Sequence, residues 1–351
     1  MHADPIVLAQ KLIRFKTITP IDDGIVDFLI DYLSPYGFYC KKLVFKDVTN
    51  FYARFGNAGP NFCFAGHTDI VPPGEGWSLD PFEGSIKDGM LFGRGASDMK
   101  AALAAFITSS IEFVQKYSFE GSISFLITGD EEARAENGTV KMLSYLEQEG
   151  QVIDACIVGE PTCVNNLGDI IKYGRRGSLS FNLTVKGKQG HVAYPDLADN
   201  PIDHMLKILC ALKDLELDKG NEDFMASNLE ITDINVGNKI GNVIPGKAQA
   251  TFNIRFNNIH SPESLYKLID SICKNYSNDY ELSVSLGAEV FVNSKGSQLV
   301  NYLQNSIAKV TGINASLSTS GGTSDARFIK NYCPVIEFGY PITWAPNKYF
   351  I

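Results

Sequence analysis

The chain has 351 residues, 44% of them apolar and 20% charged, with a formal net charge of −9. That length suits two domains better than one core, and the acidic balance argues against a nucleic-acid partner, whose phosphates need a basic patch. No apolar run is long enough to cross a bilayer, so no membrane partner is expected.

Met1-His2-Ala3-Asp4-Pro5 carries neither a basic nor an apolar export signal. The seven cysteines (Cys40, Cys63, Cys156, Cys163, Cys210, Cys273, Cys333) are odd in number and never spaced C-x-x-C. They read as reduced structural thiols of a cytoplasmic protein.

Asp4-Pro5 looks like a helix cap with proline at the first helical position, followed by an apolar stripe from Ile6 to Phe15. A second helix is expected over Asp23–Leu33. Asn61–Ala65, Ser122–Thr128 and Ala155–Val158 read as strands, and Met99–Val114 as a buried helix. Strands alternating with helices predict an α/β layer with a largely parallel sheet.

The middle of the chain changes rhythm. Ser178–Val185 and Lys247–Phe256 alternate apolar and polar residues, as half-exposed antiparallel strands do. Helices opened by Asn200-Pro201 and Ser261-Pro262-Glu263, with strands near Leu229–Val236 and Glu281–Leu286, complete a β-α-β-β-α-β order, which is ferredoxin-like. The expected organisation is an α/β domain over 1–176 and 290–351, interrupted by a smaller α+β insert over 177–289.

Polar residues collect where strands end. His67 closes one apolar run and Asp69 follows it; Asp98 precedes the long helix; Glu131 and Glu132 follow a second run; Glu160 follows a third. Sites in open α/β sheets form beyond the carboxyl ends of strands. Imidazole with carboxylates suits zinc, and a bridging carboxylate suits a metal pair. Singly, each residue has a plainer reading: Asp98 as a helix cap, Glu131-Glu132 as a solvated acidic loop, Glu160-Pro161 as a turn. Together, four elements converging on one edge favour metal.

Gly66-His67-Thr68-Asp69-Ile70-Val71-Pro72, Gly93–Lys100, Asp130-Glu131-Glu132 and Gly159-Glu160-Pro161 resemble, in order, the motifs of the M20 metallopeptidases and deacylases. Gly168–Lys172, Gly174–Ser178, His191–Pro195, Leu197–Pro201, Asn242–Gly246 and Gly321–Asp325 are similar to the branch that removes a succinyl group from an acylated diamino acid. An acetylornithine deacetylase is the neighbouring alternative, and a non-catalytic gene product the alternative of another class.

The resemblance implies a zinc-hydrolase domain with two Zn2+ per subunit, Co2+ able to substitute, and a ferredoxin-like domain that forms a homodimer. It assigns His67, Asp98, Glu132 and Glu160 to the metals, with Asp98 bridging. Glu131 is the implied general base, Asp69 the residue orienting His67, and His191 an oxyanion donor to the partner's site. Lys172, Arg175, Ser178, Tyr194, Arg255, Gly322 and Thr323 are the implied contacts to a small acyl-amino acid. Arg176 reads instead as an ion-pair former, and His204 and His260 as ordinary polar histidines.

The resemblance weakens after Glu337-Phe338-Gly339. Family members carry a histidine beyond that point as terminal ligand of the second metal, followed by a closing helix; here no histidine follows His260. Codons for Ala345-Pro346-Asn347-Lys348 read one base later permit His-Gln-Ile-Asn, which suggests a frameshift. The expectation is one tight zinc, a weak second site, a missing closing segment and impaired activity.

Overall fold

Asp4 and Pro5 open the first helix as their chemistry requires. The Asp4 carboxylate accepts from the Ile6 and Val7 amides at 2.8 and 3.3 Å, and proline has no amide to leave unpaired. The computed structural model describes residues 4–341, so the expectations for residues 342–351 lie outside the described residues. Within them the chain forms two compact units: one reaches Tyr173 and resumes over Asn293–Ser318 and from Ser324; the other comprises Gly174–Val292 and Thr319–Thr323.

In the larger unit α1 (Pro5–Arg14) turns Leu8, Leu12 and Ile13 inward. The second helix, α2, spans Ile25–Leu33 and starts later than its composition suggests. The Asp22 carboxylate takes the Gly24 and Val26 amides, and Gly24 adopts a φ of +83°, so a turn comes first. Likewise α3 spans Ala101–Lys116 rather than starting at Met99. Residues Ala96–Lys100 form a π-type turn in which Asp98 and Met99 leave helical geometry, and the Asp98–Met99 peptide is cis. Asp98 therefore does not cap α3, and its carboxylate is turned to other use.

Eight strands form the sheet of this unit: β1 (Tyr39–Phe45), β2 (Val48–Phe55), β3 (Asn61–His67), β4 (Ser122–Thr128), β5 (Ala155–Val158), β6 (Ile170–Lys172), and two whose numbers follow those of the smaller unit, β11 (Ser316–Ser318) and β12 (Val335–Glu337). Their order is β1-β2-β4-β3-β5-β12-β6-β11. The centre, β4-β3-β5-β12, is parallel; β1 and β2 run antiparallel at one edge. Every residue of β4 is buried, and its only polar side chains are the small Ser122, Ser124 and Thr128. The core on one face joins α1, α2 and α3 through Leu12, Leu29, Leu103 and Ile107 to Phe51 and Phe125 of the sheet. The parallel strands all end at one edge, and His67 and Val158 stand there at the ends of β3 and β5.

The smaller unit has strands β7 (Gly177–Lys186), β8 (Asn228–Asn235), β9 (Lys247–Phe256) and β10 (Tyr280–Ala288), in order β8-β9-β7-β10 and antiparallel throughout. Helices α5 (Pro201–Lys213) and α6 (Pro262–Tyr276) cover the face that carries Leu179, Phe181, Leu183, Phe252 and Ile254. This is the ferredoxin-like arrangement. Both helices start on a side-chain cap followed by proline: Asn200 accepts from Ile202 N, and Ser261 exchanges bonds with Ser264.

Phe181 and Phe252 are register partners whose rings stack with centroids 5.0 Å apart, both fully buried. Phe181→Ala is expected to cost about 3–5 kcal/mol and to lower the urea midpoint followed by far-UV circular dichroism. An unchanged midpoint would show that this pair does not carry the core of the smaller unit.

Candidate metal centre

The carboxyl edge of β3, β4 and β5 collects the acidic residues. His67, buried at the end of β3, has its Nδ1 2.9 Å from the main-chain oxygen of Asp69 and 3.6 Å from that residue's carboxylate. The carbonyl can only accept, so Nδ1 carries a proton and Nε2 is the nitrogen turned toward the acids. Nε2 lies 3.0 Å from Asp98 Oδ1 and 3.7 Å from Glu160 Oε1. Donor atoms of His67, Asp98 and Glu160 lie within 4.8 Å of one another. Glu160 Oε1 is buried and has no hydrogen-bond partner, an expensive arrangement unless a cation meets it.

Asp69 orients His67 through its backbone rather than its side chain. The carboxylate instead accepts from the successive amides of Glu131 (3.2 Å) and Glu132 (3.0 Å). One residue thereby fixes both the imidazole of one strand end and the acidic pair of another. Glu132 lies outside the three-donor group, in the half-buried loop that follows β4.

Electrostatics support a cation here. Burial pushes the Glu131 carboxyl up to about 8; His67 opposes the rise, and Asp325, Glu132 and Asp98 add to it. Burial likewise lifts Glu132 to about 6, with Asp98 and Asp69 adding and Arg94 opposing. Glu160 is held well above the usual carboxylate range by burial and by Asp98 and Glu131. Burial disfavours a charge on His67, yet the Asp98 hydrogen bond and the charges of Asp98, Glu160 and Asp69 lift it well above an ordinary histidine. The positive groups nearby, His67 and Arg94, do not offset the burial of these acids. Imidazole and carboxylate donors are those that zinc and similar dications accept, so the residues fit a metal.

Four residues that carry no predicted role belong to this region. Asp325 is buried; its Oδ2 accepts from Thr139 Oγ1 at 2.6 Å and its Oδ1 meets no partner. Burial raises it to about 6. Glu337, fully buried in β12, accepts from Ser324 Oγ. Arg94 sits 5.5 Å from the Trp77 ring centroid and donates to Pro73 O at 3.0 Å. Lys100, fully buried, donates to Phe15 O just past the end of α1 at 2.9 Å, and burial pushes it down to about 7. No local pattern marks them, because each is placed by contacts with residues distant in the chain.

The predicted substrate contacts divide between the units. Lys172, in the larger, donates to Ser318 Oγ. In the smaller, Ser178 and Arg255 are register partners on β7 and β9, and Arg175 donates to Ser320 O beside Gly321. Gly322 is exposed, and Thr323 Oγ1 is buried without a partner. Tyr194 and His191 are exposed on one loop, where the Ala193 amide donates to His191 Nδ1 at 3.1 Å. Arg176 donates to neutral oxygens of Ala226 and Asn228 instead of forming an ion pair. His204 and His260 pair with Asp199 and Asp218.

Comparison with known proteins agrees with this geometry. The profile of peptidase family M20/M25/M40 matches residues 63–350. A protein of Wolbachia pipientis from Culex pipiens named succinyl-diaminopimelate desuccinylase is 53% identical over 343 residues, 97% of this chain and 86% of that protein. Among solved structures, an M20 family metallo-carboxypeptidase of Sulfolobus solfataricus superposes with a TM-score of 0.79 at 17% identity, covering 95% of this chain and 91% of that one. A dinuclear metal-binding M20 peptidase of Bacillus subtilis does so at 0.69 and 17%, covering 95% and 88%.

The raised acids and the raised His67 make the metal-free protein lose stability as pH climbs. Glu132 and Asp325 bind more protons folded than unfolded up to about pH 6 and Glu131 up to about pH 8, while His67 does so only above about pH 6.5. Lys100, depressed in the fold, reverses the trend only above about 7. Thermal melts of chelator-treated chain should therefore fall from pH 5 to pH 7, and added zinc should raise the midpoint more at pH 7. An equal zinc-induced shift at both values contradicts this account.

Proposed function

The chain belongs to peptidase family M20/M25/M40, and from that membership we propose that it hydrolyses N-succinyl-LL-2,6-diaminopimelate to succinate and LL-2,6-diaminopimelate, a step of lysine and diaminopimelate biosynthesis. The observation that carries the reading is the convergence of His67, Asp98 and Glu160 with an orphaned carboxylate oxygen, beside a second acidic pair.

His67 and Glu160 would hold one zinc, Glu132 a second, and Asp98 both. Bound there, the metals supply Lewis acidity to the amide carbonyl and acidify water. Metals bound beside Glu131 would favour its carboxylate, which would take a proton from water and, once protonated, give it to the leaving amine. Asp69 holds the Glu131 and Glu132 amides, so base and ligand keep one spacing.

His191 donates to the oxyanion of a partner subunit in a homodimer built by the smaller unit. Its Nδ1 accepts from Ala193 N, which leaves the proton of the neutral ring on Nε2 as the required donor. Lys172, Arg175 and Arg255, with Ser178, Tyr194, Gly322 and Thr323, bind the carboxylates of the substrate, for which fixed cations are the natural partners. The protein acts in the cytoplasm: every cysteine is a free thiol, and no helix among the described residues is long and apolar enough to cross a membrane.

Succinate release from N-succinyl-LL-2,6-diaminopimelate, with N-acetylornithine alongside, tests the reading across a zinc titration. Turnover of the succinyl substrate alone, abolished by chelation, is expected. Glu131→Gln should lower kcat about 10²–10⁴-fold while metal content by atomic emission stays unchanged. Preference for N-acetylornithine, or turnover indifferent to chelator, would overturn the assignment.

A further inference from the structure

Far from the metal ligands, the β1–β2 edge of the larger sheet carries a second built feature. Along these strands Tyr39 faces Arg54 and Lys41 faces Tyr52, so two cations and two phenols share one face in alternation. Tyr145 and Leu146 of α4 (Thr139–Gln148) also line it, and the open pocket so formed has a volume of about 330 Å³. That is at the lower end of small-molecule sites.

The polar groups in this pocket are arranged but not neutralised. Arg54 is pinned by four hydrogen bonds, all to neutral oxygens: Ser122 Oγ from Nε (3.1 Å) and from Nη2 (2.7 Å), Ala58 O (3.3 Å) and Gln151 Oε1 (2.7 Å). One Nη1 hydrogen is left over. Lys41 donates to the Tyr145 hydroxyl and lies 4.5 Å from that ring's centroid, with further ammonium hydrogens unspent. Glu149 also lines the pocket, yet forms no ion pair with either cation. The Tyr52 hydroxyl is buried with no hydrogen-bond partner. A fixed guanidinium and an ammonium diagonal to it on the sheet form an acceptor-seeking surface with aromatic walls.

We propose that this pocket binds a small organic dicarboxylate, one carboxylate on Lys41 and the other on Arg54, its hydrocarbon body against Tyr39, Tyr145 and Leu146. Diagonal neighbours on antiparallel strands stand about 7–8 Å apart, which suits two linked carboxylates better than one compact anion. The inference is independent of the reaction assigned to the metal centre.

Trace acetylation of lysines in the full zinc-loaded chain, quantified by peptide mass spectrometry, reads the pocket directly. With succinate as probe at constant ionic strength, Lys41 acetylation should slow about threefold at twice the Kd and saturate, while exposed Lys219 is unaffected. Protection should persist after chelation, which separates it from occupancy of the metal centre, and should be lost in Arg54→Gln. Because Arg54 also ties strand to loop, Tyr39→Ala serves as the second variant and should weaken protection without altering the melting temperature. Three results overturn the proposal: no protection by succinate, protection that vanishes with chelator, or inorganic phosphate protecting as well as succinate.

Discussion

Repulsion among acids at the edge of one parallel sheet is the constraint that much of the larger unit answers. Asp69, Asp98, Glu131, Glu132, Glu160, Asp325 and Glu337 all belong to this buried or half-buried neighbourhood, and burial opposes the ionisation of Asp69, Glu131, Glu132, Glu160 and Asp325. The fold meets that cost by fixing geometry rather than by neutralising charge. Backbone amides take the Asp69 carboxylate, Thr139 takes one oxygen of Asp325, and Ser324 takes Glu337. What remains unsatisfied, Glu160 Oε1 and Asp325 Oδ1, marks where positive charge from outside the chain is wanted.

The two resident cations are placed differently. Lys100 binds a carbonyl at the carboxyl end of α1, where a positive group also suits the helix dipole. Arg94 lies against Trp77 and shares the Pro73 carbonyl with the indole N–H. Both feel the acids electrostatically, and neither forms an ion pair with His67, Asp98 or Glu160. Neither of these two cations thus competes with a metal for the donor cluster.

Much of this was legible before any coordinates. Period-two alternation in Ser178–Val185 and Lys247–Phe256 reports the covered antiparallel sheet because one face of it packs on helices. His67, Asp98 and Glu160 could be picked out because each follows an apolar run or precedes a helix. The sequence was less informative where side chains negotiate locally. The starts of α2 and α3 shift because Asp22 and the Ala96–Lys100 turn impose geometry that apolar spacing does not encode. Spacing suggested that the Asp69 carboxylate would hold His67; the main chain does so, since two adjacent amides claim the carboxylate first. The roles of Arg94, Lys100 and Asp325 depend on contacts across long stretches of chain, which no local pattern records.

One hydrogen bond has a consequence for how such a chain is assembled and re-assembled. Asn293 N donates to Tyr173 O at 2.8 Å, so the long excursion over Gly174–Val292 leaves and rejoins the larger unit at bonded neighbours, with only the short Thr319–Thr323 segment crossing elsewhere. Closing a long segment costs entropy that grows only logarithmically with its length. An insertion with juxtaposed ends therefore behaves as a cassette: it can be lengthened, traded for a different module or replaced by a tight turn while β6 and β12 keep their places in the host sheet. The architecture permits most of the smaller unit to be exchanged as one piece, a route by which one hydrolytic scaffold can be refitted for new chemistry.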